Sequence, residues 1–234
     1  IVVGEWMPIS VFINKEGKLT NETSHYFDRP YSGWWNTVEI SDFNKDGNPD
    51  IIVGNMGTNT QLKVNPAQPA QLYYNDYDQN GSIDPIFCYY IQGKSYPYLT
   101  RDELLGQLSR LRTRFTSYES YSNSTLKDIL NPKDLAESGK LAVTDMETTL
   151  FMGSTSGKFQ QQPLPVQAQY SPIYSIVISD VNKDGNNDLL LFGNDDYFKL
   201  RLGKFDANYG TLLVGDKNGG FQYIDQLHSG LNIN

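Results

Sequence analysis

The arrangement of apolar and polar positions divides this chain into two kinds of segment. TVEIS (37–41), DIIVG (50–54), YSIVIS (174–179) and DLLLFG (188–193) are short β-branched or aliphatic runs, each next to Asp-, Asn- and Gly-rich stretches. Runs of this length read as strands, and the continuous ones as strands buried on both faces. Between Tyr98 and Leu135 the period becomes helical. LTRDELLGQLSRLRTRF places Leu104, Leu105, Leu108, Leu111 and Phe115 on one face, with Arg101, Arg110, Arg112 and Arg114 mostly elsewhere. Thr100 and Glu103 have the spacing of a capping box, and a shorter helix over 125–130 is expected to stop at Asn131-Pro132. The expected fold class is therefore all-β with a small helical insertion at about 99–135, packed on a flank or, given its arginines, offered to an anionic partner.

The strand runs recur in a fixed order. Residues 41–84 and 179–225 keep step with an offset that drifts from 138 to 140. A second pattern, an apolar strand followed by a turn and a Gly-x-apolar step, appears as VFINKEGKL (11–19), LFMGSTSGKF (150–159) and LLVGDKNGGF (212–221). IVVGEWMPISVFINKEGKL at the start matches the stretch from Leu141 in the same way. A unit of about 50 residues with four short strands predicts a blade of a β-propeller, which needs neighbouring blades to bury its faces. On this reading the chain opens mid-blade and has a full blade at 37–90, a partial one ending near 160 and a full one at 174–225. About three to three and a half blades are fewer than the roughly four to eight of a closed ring. A longer parent chain or a second copy is expected to complete the stack.

Three acidic stretches punctuate these units: DFNKDGNPD (42–50), DYDQNGSID (76–84) and DVNKDGNND (180–188). Each sets oxygen-bearing side chains at positions 1, 3, 5 and 9 and glycine at 6. The sets are Asp42, Asn44, Asp46, Asp50; Asp76, Asp78, Asn80, Asp84; and Asp180, Asn182, Asp184, Asp188. Alternating oxygens around a tight turn suit a hard cation such as Ca²⁺, with the carbonyl at position 7 (Asn48, Ser82, Asn186) as a further ligand. An Asp/Asn turn explains one such stretch. Three copies, each crowding three carboxylates, point to about three bound calcium ions. An EF-hand does not fit, because position 12 is Val53, Phe87 or Leu191 where a bidentate Glu is needed, and the flanks are strands.

The loop D-x-N-x-D-G-N-x-D followed by IIVG or LLLFG resembles the FG-GAP (VCBS) repeats of integrin-α-like calcium-binding propellers, and the bacterial relatives more than the integrins. Phe192-Gly193 keeps the Phe-Gly signature and Val53-Gly54 does not. The resemblance implies that the fifteen positions above hold structural calcium at strand-to-strand turns.

Composition narrows the function. With 20% charged and 13% aromatic residues the chain is too apolar for disorder. A net charge of −8 argues against a nucleic-acid partner. No stretch approaches a membrane span, and the lone Cys88 lies in an apolar run. His25 and His228 have no ligand or triad spacing, and no hydrolase or phosphate motif is present. The expected role is a calcium-stabilised extracytoplasmic binding or scaffold module for a protein or glycan. The location is then extracellular, cell-surface or periplasmic, where calcium is abundant. Trp6, Trp34 and Trp35 are a candidate aromatic platform for the ligand. The alternative is a calcium-dependent polysaccharide hydrolase or lyase.

Overall fold

In a computed structural model, which describes residues 1–197 and 199–233, the chain is all-β: five antiparallel sheets with a few short helices. The strands in chain order are β1 (Glu5–Pro8), β2 (Phe12–Lys15), β3 (Lys18–Asn21), β4 (Ser32–Trp34), β5 (Thr37–Ser41), β6 (Asp50–Gly54), β7 (Ala70–Asn75) and β8 (Asp84–Ile91). There follow β9 (Lys94–Pro97), β10 (Gly139–Val143), β11 (Thr149–Met152), β12 (Gln160–Gln162), β13 (Ser175–Ser179), β14 (Asp188–Phe192), β15 (Thr211–Gly215) and β16 (Phe221–Ile224). Among the described residues no helix is long and apolar enough to cross a membrane.

The chain forms two compact units, residues 1–61 with 145–234, and residues 62–144. The first unit contains two four-stranded meanders, β5-β6-β11-β12 and β13-β14-β15-β16, and two pairs near the N-terminus, β1-β4 and β2-β3. Its sheets are layered. One core joins Ile52 and Leu150 of the first meander to Ile176, Leu189, Leu191 and Leu213 of the second. Another joins Ile9, Val11, Phe27 and Trp35 to the opposite face of the first meander, at Ile51, Val53 and Phe151. Successive residues of β6 thus point into different cores, which is why DIIVG is apolar without alternation and buried along its whole length. Each such aliphatic side chain contributes about 1.5–3 kcal/mol by leaving water.

This arrangement corrects the blade boundaries read from the sequence. The second meander runs over 175–224, as expected. The first does not run over 37–90: β6 pairs with β11, registering Leu150 with Ile52 and Phe151 with Ile51. The intervening residues 62–144 form the second unit. Its sheet has the order β10-β7-β8-β9, so the fourth strand joins at the edge of the first strand and not after the third. The match between 70–84 and 211–225 therefore relates strands with different neighbours.

A glycine explains the choice of partner for β6. Gly153, just after β11, donates its N–H to Asp50 Oδ1 at 2.8 Å, and a Cβ there would meet the Pro49 carbonyl at 2.2 Å. Gly215 of β15 repeats both relations, with a 2.9 Å bond to Asp188 Oδ1 and the Asn187 carbonyl 2.2 Å from its would-be Cβ. Only a residue without a side chain lets the third strand come this close.

In the second unit the helical segment packs on its own sheet. Leu104, Leu105, Leu108, Leu111 and Phe115 are all buried with Tyr77, Ile86 and Cys88. Burial pushes the Cys88 thiol up to about 12, as expected for an inert core cysteine. The capping box at Thr100 and Glu103 is present. The long helix is shorter than its pattern: it spans Arg101–Gln107 and continues as a 3₁₀ helix over Ser109–Thr113. The break falls at Leu108, whose φ of −119° and ψ of 76° leave the helical region while its side chain stays in the core. Asn131-Pro132 ends one helix (Leu126–Ile129) and opens another (Pro132–Glu137), with Asn131 as its cap and Pro132 in its first turn. Arg110 bonds Asp134 at 2.9 Å and Arg101 Nε bonds the Phe115 carbonyl at 2.8 Å, so both arginines are engaged within the insertion.

Candidate metal centres

All three acidic loops join consecutive antiparallel strands, β5-β6, β7-β8 and β13-β14, and all three fold by the same hydrogen bonds. The position-1 carboxylate accepts two backbone N–H groups. Asp42 takes those of Asp46 and Gly47 at 3.0 and 2.9 Å, Asp76 those of Asn80 and Gly81 at 2.9 and 2.8 Å, and Asp180 those of Asp184 and Gly185 at 3.1 and 2.9 Å. The position-5 side chain accepts the N–H of position 7, from Asn48, Ser82 or Asn186, in each case at 2.8 Å. The position-9 carboxylate accepts the N–H of position 2: Phe43 to Asp50 at 2.8 Å, Tyr77 to Asp84 at 3.0 Å and Val181 to Asp188 at 2.8 Å. Lys45, Gln79 and Lys183 at position 4 take φ values of 58, 59 and 63°, and the glycines at position 6 values of 85 to 88°. The left-handed turn is what lets alternate side chains converge.

Asp50, Asp84 and Asp188 are 0, 4 and 0% exposed. Desolvation pushes the carboxyls of Asp50 and Asp84 up from the usual range, against the N–H donors that favour their charged forms. Asp46 and Asp184, on the solvent side, are held below that range by the N–H groups of Asn48 and Asn186.

The loops differ at position 3. Asn44 accepts the Asp46 N–H at 3.2 Å and its amide donates to Asp46 Oδ2 at 3.1 Å. Asn182 does the same with Asp184, at 2.9 and 2.8 Å. The middle loop has Asp78 there, which has no amide to give. Its Oδ1 is buried with no hydrogen-bond partner. One carboxylate oxygen from each of Asp76, Asp78 and Asp84 lies within 4.8 Å of the others. A buried carboxylate oxygen without a donor, on a side chain beside two more carboxylates, is costly unless a cation joins them. The residues of the middle loop therefore fit a hard divalent ion.

The first and third loops lie side by side. Lys45 Nζ donates to the Gly185 carbonyl at 2.6 Å and to Asn186 Oδ1 at 3.2 Å, while Asn187 Nδ2 donates to Ser41 Oγ at 2.7 Å. Nothing in the residue pattern announced this bridge. Its one trace is that both of these loops carry Lys at position 4.

The aromatic platform is corrected in part. Trp35 is 2% exposed, packed in the N-terminal core with its indole N–H on the Tyr31 carbonyl at 3.1 Å, so no ligand can stack on it. Trp6 and Trp34 are half-buried and meet edge to face, with centroids 5.1 Å apart. His25 is exposed against Tyr26, and His228 contacts the helix-capping Asp225. Asp195 and Asp196, beside a cavity of about 490 Å³, already hold Tyr174 and Lys204. They do not form an open acid–base pair. The chain matches no family model, no curated protein and no solved structure.

Proposed function

We propose that this chain is part of a calcium-stabilised β-propeller of the FG-GAP type, and that it works as an extracytoplasmic binding or scaffold module for a protein or glycan. The two meanders of the first unit are consecutive blades, and the N-terminal strands belong to the blade before them. The observation that carries the metal reading is the set of three loops with one hydrogen-bond scheme, in which the oxygen set Asp76, Asp78 and Asp84 leaves a buried carboxylate oxygen unpartnered.

Ions would be held by the side chains at positions 1, 3, 5 and 9 and by the carbonyl at position 7. Bound calcium supplies positive charge at the turns, and three ions would change the net charge from −8 to −2. The chain's own part is structural: it anchors a wholly buried strand to the turn before it. Weak loops of this kind, with affinities on the order of 10⁻⁴–10⁻³ M, suit a calcium-rich extracellular setting. Trp6 and Trp34 remain the aromatic surface offered to a ligand.

Calorimetric titration with calcium, paired with thermal melting in calcium and in EDTA, tests this. About three ions should bind, and EDTA should lower the melting temperature. A melting temperature indifferent to EDTA, together with no heat of binding, removes the metal reading.

A further inference from the structure

The contact between the two meanders shows how one sheet of this repeat receives the next. Phe43 at loop position 2, Ile52 and Leu150 form the receiving face, and Phe43 meets Phe221 of the following sheet edge to face at 5.5 Å. Lys45 reaches the following loop and Ser41 accepts from it.

The last sheet repeats each of these features on its outer side. Val181 stands where Phe43 does, Leu190 where Ile52 does and Leu212 where Leu150 does, while Lys183 and Ser179 correspond to Lys45 and Ser41. Val177, Leu190, Leu212 and Ile224 form one apolar cross-strand row on this face, in which Leu212 is buried and Leu190 and Ile224 are half-buried. Val177 and Val181 are 46 and 44% exposed, where Phe43 is 2% exposed. The C-terminal tail meets the end of the sheet at Tyr209 and Gly210, through the Ile233 N–H on the Tyr209 carbonyl and through Leu231 beside Gly210.

The opposite end of the layered unit offers the complementary face. Phe12 and Leu19 stand where Phe151 and Phe159 stand one repeat later, and those two aromatics are among the side chains that meet the preceding layer. Phe12 and Leu19 are 37 and 66% exposed.

We infer that the outer face of β13-β14-β15-β16 docks the N-terminal strands of a second copy of this chain, Val177 and Val181 packing on Phe12 and Leu19. The contact is heterologous, so copies add head to tail. The inference rests on the stacked-blade part of the proposal above and not on calcium.

Sedimentation velocity over rising concentration tests it, with calcium and with EDTA. Species of twice the 26.5 kDa chain mass or more should grow with concentration. Val177→Asp or Phe12→Asp, both at exposed positions, should each weaken association at least tenfold while the melting temperature holds. Val181→Asp serves if Val177→Asp does not fold. Mixed one to one, the Phe12→Asp and Val177→Asp chains should recover a dimer that grows no further, because each keeps one intact face. A monomer at every concentration overturns the inference, as does a mixture that fails to dimerise or a Phe12→Asp chain that still self-associates. A chain that binds calcium and stays monomeric removes this inference alone. One that associates without binding calcium removes the metal reading alone.

Discussion

The acidic loop of the second unit and the two of the first share spacing, turn conformation and backbone hydrogen bonds, but they balance their charge differently. At 42–50 and 180–188 an asparagine amide at position 3 donates to the carboxylate at position 5. The buried position-9 carboxylates there are saturated by N–H groups from position 2 and from the glycine of the third strand. At 76–84 an aspartate replaces the asparagine, and one of its oxygens is buried without a donor. The same motif therefore matches its carboxylates with donors in two loops and leaves one carboxylate oxygen unmatched in the third. What matters is how many N–H donors reach each carboxylate, and the oxygen count alone does not reveal it.

The largest expected effect breaks the comparison at position 9. Asp50→Ala strands two donors, the buried N–H of Phe43 and the half-buried one of Gly153, and should cost about 3–5 kcal/mol in chemical denaturation. Asp84→Ala removes the acceptor of the Tyr77 N–H and should cost about 1–3 kcal/mol. Equal losses would mean that the third-strand glycine contributes nothing.

A middle-sized effect sharpens it. Asp78→Asn gives the second unit the amide that the other loops have. In EDTA it should raise the melting temperature by about 2–4 °C, on the scale of 1 kcal/mol for a chain of this size. In calcium titrations the same variant should weaken one site about tenfold or more. If EDTA melts of the variant and the parent coincide, the lone buried oxygen carries no cost.

The smallest effect concerns the bridge. Lys45→Met removes an exposed ammonium from the Gly185 carbonyl and Asn186. Stability should fall by no more than about 1 kcal/mol. Calcium affinity at the third loop should rise, since a positive charge leaves its rim, and a drop in that affinity would count against the placement of Lys45.

Much of the local structure was legible. The strands, the three turns, the capping box at Thr100 and the leucine face of the insertion are all set by contacts a few residues long. The bridging of adjacent loops by Lys45 was not, because it joins residues 140 apart. The burial of Trp35 was hidden for a related reason. Gly33-Trp34-Trp35 looks like one aromatic patch, yet adjacent residues of extended chain point to opposite sides, and only Trp34 stays near the surface.

What the sequence alone determined is the repeating piece: strand, acidic turn and buried strand, beside a strand that ends in glycine. TLFMG at 149–153 and TLLVG at 211–215 carry that glycine, and AQLYYN at 70–75 does not. What the tertiary structure decided is which strand completes which sheet. The edge of β6 could bond any apolar strand, since backbone donors and acceptors are alike everywhere. Only in three dimensions do the N–H of Gly153 at Asp50 and the bare Cα beside Pro49 select β11, a strand nearly a hundred residues away, over the nearer β7.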